Sequence, residues 1–147
     1  MTLKETLQSD LKDAMRAGDE LRKNTLRMAI SALKLAEIEK HGPLDESASL
    51  AIMQKEVKSR RESIADAQRA NRPDLVQTAE QEIKLLEHYL PKALDPAELE
   101  ALARVAIQEV GASSLKEMGQ VMKVLMPRLQ GRATGDQASQ AVRKLLA

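Results

Sequence analysis

The sequence predicts an all-α protein: an N-terminal bundle of about four helices, one of them long, followed by a small three-helix module. Three observations carry that expectation. Leu, Met, Ala, Glu, Lys, Gln and Arg dominate the chain, all of them good helix formers, and β-branched residues are sparse. Apolar residues recur at intervals of three and four, the period of a helix face turned to a core. Cap residues, prolines and glycines punctuate these stretches where helices should start and stop.

Thr2 is placed to cap the first helix, with Glu5 as its capping-box partner three residues on. Leu3, Leu7, Leu11 and the pair Ala14/Met15 form its inner stripe, and Gly18 ends it. Asp19 caps a second helix that runs to about Glu39. Its apolar residues fall on two faces, Leu26-Ile30-Leu33 and Met28-Ala32-Leu35, so it is expected at the centre, packed between neighbours. After the turn HGPLDE, a third helix is predicted from about Glu46 to Ala70, with Leu50, Met53, Val57 and Ile64 inward. At 1.5 Å per residue it should be on the order of 37 Å long. Pro73 opens a fourth helix, with Leu75, Ala79, Ile83, Leu86 and Leu90 on its inner face, and Pro91 stops it.

The stretch PKALDPAELE separates a domain over 1–91 from a second over 95–147. Asp95, Pro96 and Glu98 supply the N-cap, first-turn proline and box acid of the next helix. Helices over 96–109, 114–129 and 136–146 follow, with Gly111 and Gly131 as stops. Within this unit MGQVMKVLMPRLQGRATG places Met118, Met122, Leu125 and Leu129 on an inward seam, with Met126 beside it. Pro127 removes a backbone donor and should kink or tighten the last turn, and Gly131 and Gly135 permit a sharp reversal.

The chain has one Tyr and no Phe or Trp, so its core must be aliphatic. It has no cysteine, which excludes disulfides, thiolate nucleophiles and Cys-ligated zinc. No signal peptide and no apolar run of membrane-spanning length are seen, and a soluble cytoplasmic protein is expected. His41, in a loop, and His88, at the end of the fourth helix, have no second histidine at i+3 or i+4. No metal and no cofactor are expected. Ser31-Ala-Leu-Lys34 fits the S-x-x-K pattern of Ser–Lys acyl transfer, but it lies mid-helix with no oxyanion-hole loop nearby.

Charge is the more informative signal. Overall it balances at +1, but from residue 111 onward Lys116, Lys123, Arg128, Arg132, Arg143 and Lys144 stand against Glu117 and Asp136, a local excess of +4. Such a field suits a phosphate backbone. The missing aromatics argue against base stacking and leave recognition by shape and backbone. On the third helix Lys55, Lys58, Arg60 and Arg61, with Glu56 and Glu62 between them, read as a solvated face laced with ion pairs. Lys58, Arg60, Arg61, Arg69 and Arg72 are the secondary basic candidates.

In order and spacing, LKDAMRAGDELRKNTLRM, KSRRESI, ANRPDL, EIKLLEHYLP and EMGQVMKVLMPRLQGRATG resemble the YqeY-like family over essentially the whole chain. The second half is similar to the tail domain of the B subunit of the tRNA-dependent amidotransferases (GatB). The resemblance implies an all-α protein in two helical parts. It also implies a tail-like module that helps hold tRNA, with transamidation done elsewhere. Gly119, Val121 and Met122 match the family's MGxVM core, and Gly131, Arg132 and Ala133 match its GRA turn. Lys123 and Arg128 fall where cations are usual. Gln120 and Gln130 stand where the family commonly has basic residues, which thins the patch, and Ala67 stands where an aromatic is frequent, which lightens the core. Gly119 is further expected to let two helices approach closely.

These readings converge on a non-catalytic protein associated with tRNA or another structured RNA, with a protein of the translation machinery as a further partner. It would dock on phosphates through Lys116, Gly119, Lys123, Arg128, Gly131, Arg132 and Lys144. Two rivals use the same chain. One is an amidase- or amidotransferase-related enzyme acting on tRNA-linked amino acids, for which Ser31 with Lys34 is the only local candidate. The other is a helical protein-interaction module along a groove lined by Met118, Met122 and Met126.

Overall fold

Every regular element in the computed structural model, which describes residues 1–147, is a helix. The chain divides into two units, Met1–Leu90 and Pro91–Ala147, each with its own hydrophobic core.

The first unit consists of α1 (Leu3–Ala17), α2 (Glu20–Lys40), α3 (Glu46–Arg69) and α4 (Pro73–Glu87). Consecutive helices form two hairpins, α1 on α2 and α3 on α4, and α2 joins them by touching both α3 and α4. The starts are set locally. Thr2 and Glu5 exchange the two hydrogen bonds of a capping box, and the Asp19 and Asp45 carboxylates accept from the N–H groups of Arg22 and Ala48. Caps of this kind each stabilise a helix by about 0.5–2 kcal/mol. Gly18 and His41 end α1 and α2 in the left-handed conformation.

The core of this unit is Leu7, Ala14, Leu26, Ala29, Leu33, Met53 and Leu86, with Leu3, Leu11, Ile83 and Leu90 packed against it. Of the pair at the end of the first stripe, Ala14 is buried and Met15 faces solvent. The larger difference concerns α2. Its Leu26-Ile30-Leu33 face is buried, but Met28 and Leu35 on the other face are 55 % and 57 % exposed, and Ile38 beside them is 69 % exposed. Four helices around one core leave each helix a single inward face, so α2 buries one apolar stripe and presents the other outward. Leu75, expected inside, is also exposed, because it sits in the first turn of α4 at the tip of the second hairpin.

Helix α4 ends at Glu87, short of Pro91, and a turn over 88–90 swings Tyr89 back toward α1. The phenol donates a hydrogen bond to the Asp10 carboxylate. Burial, reinforced by that hydrogen bond and by the Asp10 charge, pushes the phenol up from its ordinary 10 to about 12, against a smaller opposing influence of Arg22.

The second unit contains α5 (Pro96–Val110), a 3-10 turn (Leu115–Glu117), α6 (Met118–Leu129) and α7 (Gly135–Leu146), and the three α-helices pack mutually. The stretch expected as one helix over 114–129 is therefore a 3-10 turn leading into an α-helix. Pro127 does not end α6, which continues to Leu129. Gln130 and Gly131, at φ 51° and 75°, take consecutive left-handed conformations that reverse the chain. Thr134 and Gln137 then form a capping box for α7. Val121, Leu125, Leu129 and Val142 meet the small residues Ala103, Ala106 and Ala138, which lets short helices close a core without aromatics.

Two measurements test this layout. Leu33→Ala should cost about 2–5 kcal/mol in denaturant unfolding, whereas Leu35→Ala, two residues away on the other face, should stay within about 0.5 kcal/mol. Equal costs would mean that the outer stripe is covered. Tyr89 is the only aromatic residue, so ultraviolet absorbance reports its ionisation alone. The midpoint should lie near 12 and fall in Asp10→Asn. Because folding favours the protonated phenol, its contribution to stability should be intact below pH 10 and lost as pH rises through 12.

Candidate nucleic-acid interface

The predicted cations of the second unit separate into two sets. Lys116 in the 3-10 turn, Lys123 on α6, and Arg143 and Lys144 in the last turn of α7 are exposed, and no carboxylate pairs with any of them. Arg128 and Arg132 are engaged within the fold. Arg128 lies five residues from Lys123, roughly 140° around the helix, and its guanidinium bonds the carboxylate of Glu109 on α5. That contact holds the Glu109 carboxyl below the usual carboxylate range and raises Arg128.

Arg132 ties the α6–α7 turn to the start of α5. Its Nε donates to the Lys92 carbonyl at 2.9 Å, its guanidinium lies 3.5 Å from the Glu98 carboxylate, and its own carbonyl accepts from the Leu94 N–H at 2.9 Å. Glu98 is also the capping-box acid of α5. The +4 excess counted along residues 111–147 is therefore diluted by α5. Over the whole second unit, eight cationic residues face six acidic ones.

The glycines behave differently from one another. Gly131 adopts φ 75°, a conformation that the turn requires. Gly119 lies in the first turn of α6 with nothing within 4 Å of where a Cβ would stand, so the expected close helix approach at this position does not occur. Met118 and Met122 are half-buried against the core, and only Met126 is exposed, at 39 %. Its methyl carbon lies 3.8 Å from the position a Cβ on Gly135 would take. The methionine face of α6 is thus mostly turned into the unit.

In the first unit the secondary basic stretch is largely neutralised. Arg60, expected on a solvated face, is only 6 % exposed. Its guanidinium bonds the carboxylates of Glu56 and Glu82, each at 2.7 Å, the Glu56 carbonyl at 3.1 Å and the Met28 sulfur at 3.6 Å. Arg61 bonds Glu87 across the α3–α4 hairpin at 2.8 Å. Arg69 pairs with Asp66, and Arg72 makes two bonds to Asp74 at 3.0 and 2.9 Å. Arg72 holds the Asp74 carboxyl below its ordinary range. Lys58 is exposed. Nothing in local sequence marks Arg60 as buried, because Glu82 arrives from another helix.

Ser31 and Lys34 stand on the outer side of α2 with no hydrogen bond between them, so the serine lacks the bonded base that would activate it. No group of three or more His, Asp and Glu residues is placed to hold a metal ion.

Together these features describe a two-unit helical protein whose candidate contacts are exposed surface cations. The chain belongs to the Yqey-like protein family, whose model matches residues 4–146. Curated relatives named "Altered inheritance of mitochondria protein 41, mitochondrial" are similar to it. The one from Lachancea thermotolerans is 40 % identical over 68 % of this chain and 54 % of its own length. That from Vanderwaltozyma polyspora is 42 % identical over 57 % of this chain and 46 % of its own, and that from Pyrenophora tritici-repentis is 31 % identical over 86 % and 71 %. The chain spans about half the length of the first two of these relatives. Their names correct the cytoplasmic placement expected from the sequence, since they are mitochondrial proteins. A cysteine-free composition, and the finding that no helix is long and apolar enough to cross a membrane, do not separate one aqueous compartment from another.

The Glu109–Arg128 pair makes a pH-dependent prediction. A carboxyl depressed in the folded state contributes stability above its unfolded pKa and loses that contribution as pH falls through its folded value. Arg128→Gln should therefore lower the melting temperature near pH 7, and the difference from wild type should shrink and disappear as acidification protonates Glu109. A difference independent of pH would show that Arg128 acts through packing alone.

Proposed function

We propose that the protein binds tRNA or another structured RNA through the phosphate backbone, using Lys116, Lys123 and Lys144 of the second unit. The observation that supports this reading is that these ammonium groups are exposed and unpaired, whereas Arg128 and Arg132 are occupied by Glu109, Glu98 and the Lys92 carbonyl. A lysine acts on phosphate as a mobile point charge, so binding of this kind is tolerant of sequence and sensitive to salt. Gly119 supports the same reading. It precedes Lys123 by one helical turn and carries no side chain, so a phosphate can come close to the backbone there. Arg128, Arg132 and Gly131 are assigned to shaping the unit that carries these lysines. Without aromatic side chains other than Tyr89, the unit has no platform for stacking bases.

The test is binding of the full chain to bulk tRNA across a salt series. Wild type should show a steep fall of log K with log[salt]. The triple variant Lys116→Gln, Lys123→Gln, Lys144→Gln should flatten that slope by about two to three units. Arg128→Gln with Arg132→Gln should lower stability and leave the slope nearly unchanged. No binding at low salt, or a triple variant with the wild-type slope, would overturn the proposal.

A further inference from the structure

The outer face of α2 is left uncovered by the fold, and its pattern specifies what fits it. Asn24, Met28, Ser31, Leu35 and Ile38 are all exposed and alternate at intervals of four and three, the spacing of a heptad seam. The seam is about 21 Å long, four turns of a facing helix. Met28, Leu35 and Ile38 supply knobs. Between Met28 and Leu35 the side chains, Ser31 and Ala32, are small. The Met28 end is pinned from behind, because its sulfur accepts from the buried Arg60 guanidinium at 3.6 Å.

The edges of the seam are not alike. Arg27 and Lys34, seven residues apart and so on the same flank, are exposed and have neither an ion pair nor a hydrogen bond. The opposite flank carries Ala32 and Glu39. We propose that this face of α2 docks an amphipathic helix of a different protein, one with an apolar heptad stripe and an acidic edge lying along Arg27 and Lys34. Charge disfavours an antiparallel second copy as occupant, because two α2 helices packed that way would place the Arg27–Lys34 edge of each along the same cationic edge of the other. Parallel packing would set one Lys34 against Glu39 of the other copy but would stack Asn24 on Asn24 and Ser31 on Ser31 within the seam. The seam belongs to the first unit, so this inference does not rest on the RNA reading.

The probe is a synthetic amphipathic peptide of about 18 residues, with leucine at the heptad a and d positions and glutamate along one edge, beside a twin with lysine in place of glutamate. Each is titrated into the isotope-labelled full chain and followed by amide NMR shifts. The glutamate peptide should shift the amides of residues 24–38 and bind at least about tenfold more tightly than the lysine twin. Leu35→Glu should abolish the shifts. Arg27→Glu with Lys34→Glu should reverse the preference in favour of the lysine twin, a gain of binding that an unfolded variant could not produce. The proposal is overturned if residues 24–38 do not respond at about 1 mM peptide, if the twins bind equally, or if the chain sediments as a dimer that Leu35→Glu dissociates.

Discussion

Burial of the Arg60 guanidinium between Glu56 and Glu82 is the interaction on which the layout of the first unit depends. Removing an ion from water costs several kcal/mol unless charge and hydrogen bonds replace its hydration. Here both carboxylates lie at 2.7 Å, with side chains only 22 % and 21 % exposed. One carboxylate comes from α3 itself and the other from α4, so the pairing sets the register of that hairpin. A further contact, to the Met28 sulfur, reaches α2. No buried side-chain nitrogen or oxygen in the protein lacks a partner, so the arrangement leaves no polar group stranded.

The second unit applies the same chemistry at its surface. The core has no aromatic side chains and is closed by alanines on α5 and α7, and charged side chains add ties between elements. Arg128 reaches α5 from α6, and Arg132 clamps the α6–α7 turn to the segment that starts α5. What remains for a partner is a set of lysines that the fold does not use. Arg143 also faces solvent unpaired, but the two cations that tie helices together, Arg128 and Arg132, are both arginines, as their chemistry favours. A planar, forked guanidinium suits several fixed acceptors at once, and a single ammonium on a flexible stem does not.

Helix boundaries were legible in the sequence because their causes are local. Thr2 with Glu5, Asp19, and Asp95 with Glu98 act within three residues, and all form the expected caps, to which the structure adds Asp45. The capping box of Thr134 and Gln137 was equally local and was missed, because glutamine is a quieter signal than glutamate at its third position. The candidate contacts were less legible. A positive excess counted along the chain ignores carboxylates that arrive from elsewhere, and Glu109 and Glu98 occupy two of the arginines in that count.

By itself, the sequence determined that this is an all-helical chain, where its first five helices start, that its core is aliphatic, and, through five short stretches in order, that it resembles the YqeY-like family. Tertiary structure alone decided which apolar face of α2 is buried, which cations remain free, that Arg60 is internal and that Gly119 stands in open space. The reason is one of range. Caps and periodicity act between residues three or four apart, whereas burial and polar pairing depend on side chains brought together from positions up to 79 residues apart, as Tyr89 is from Asp10.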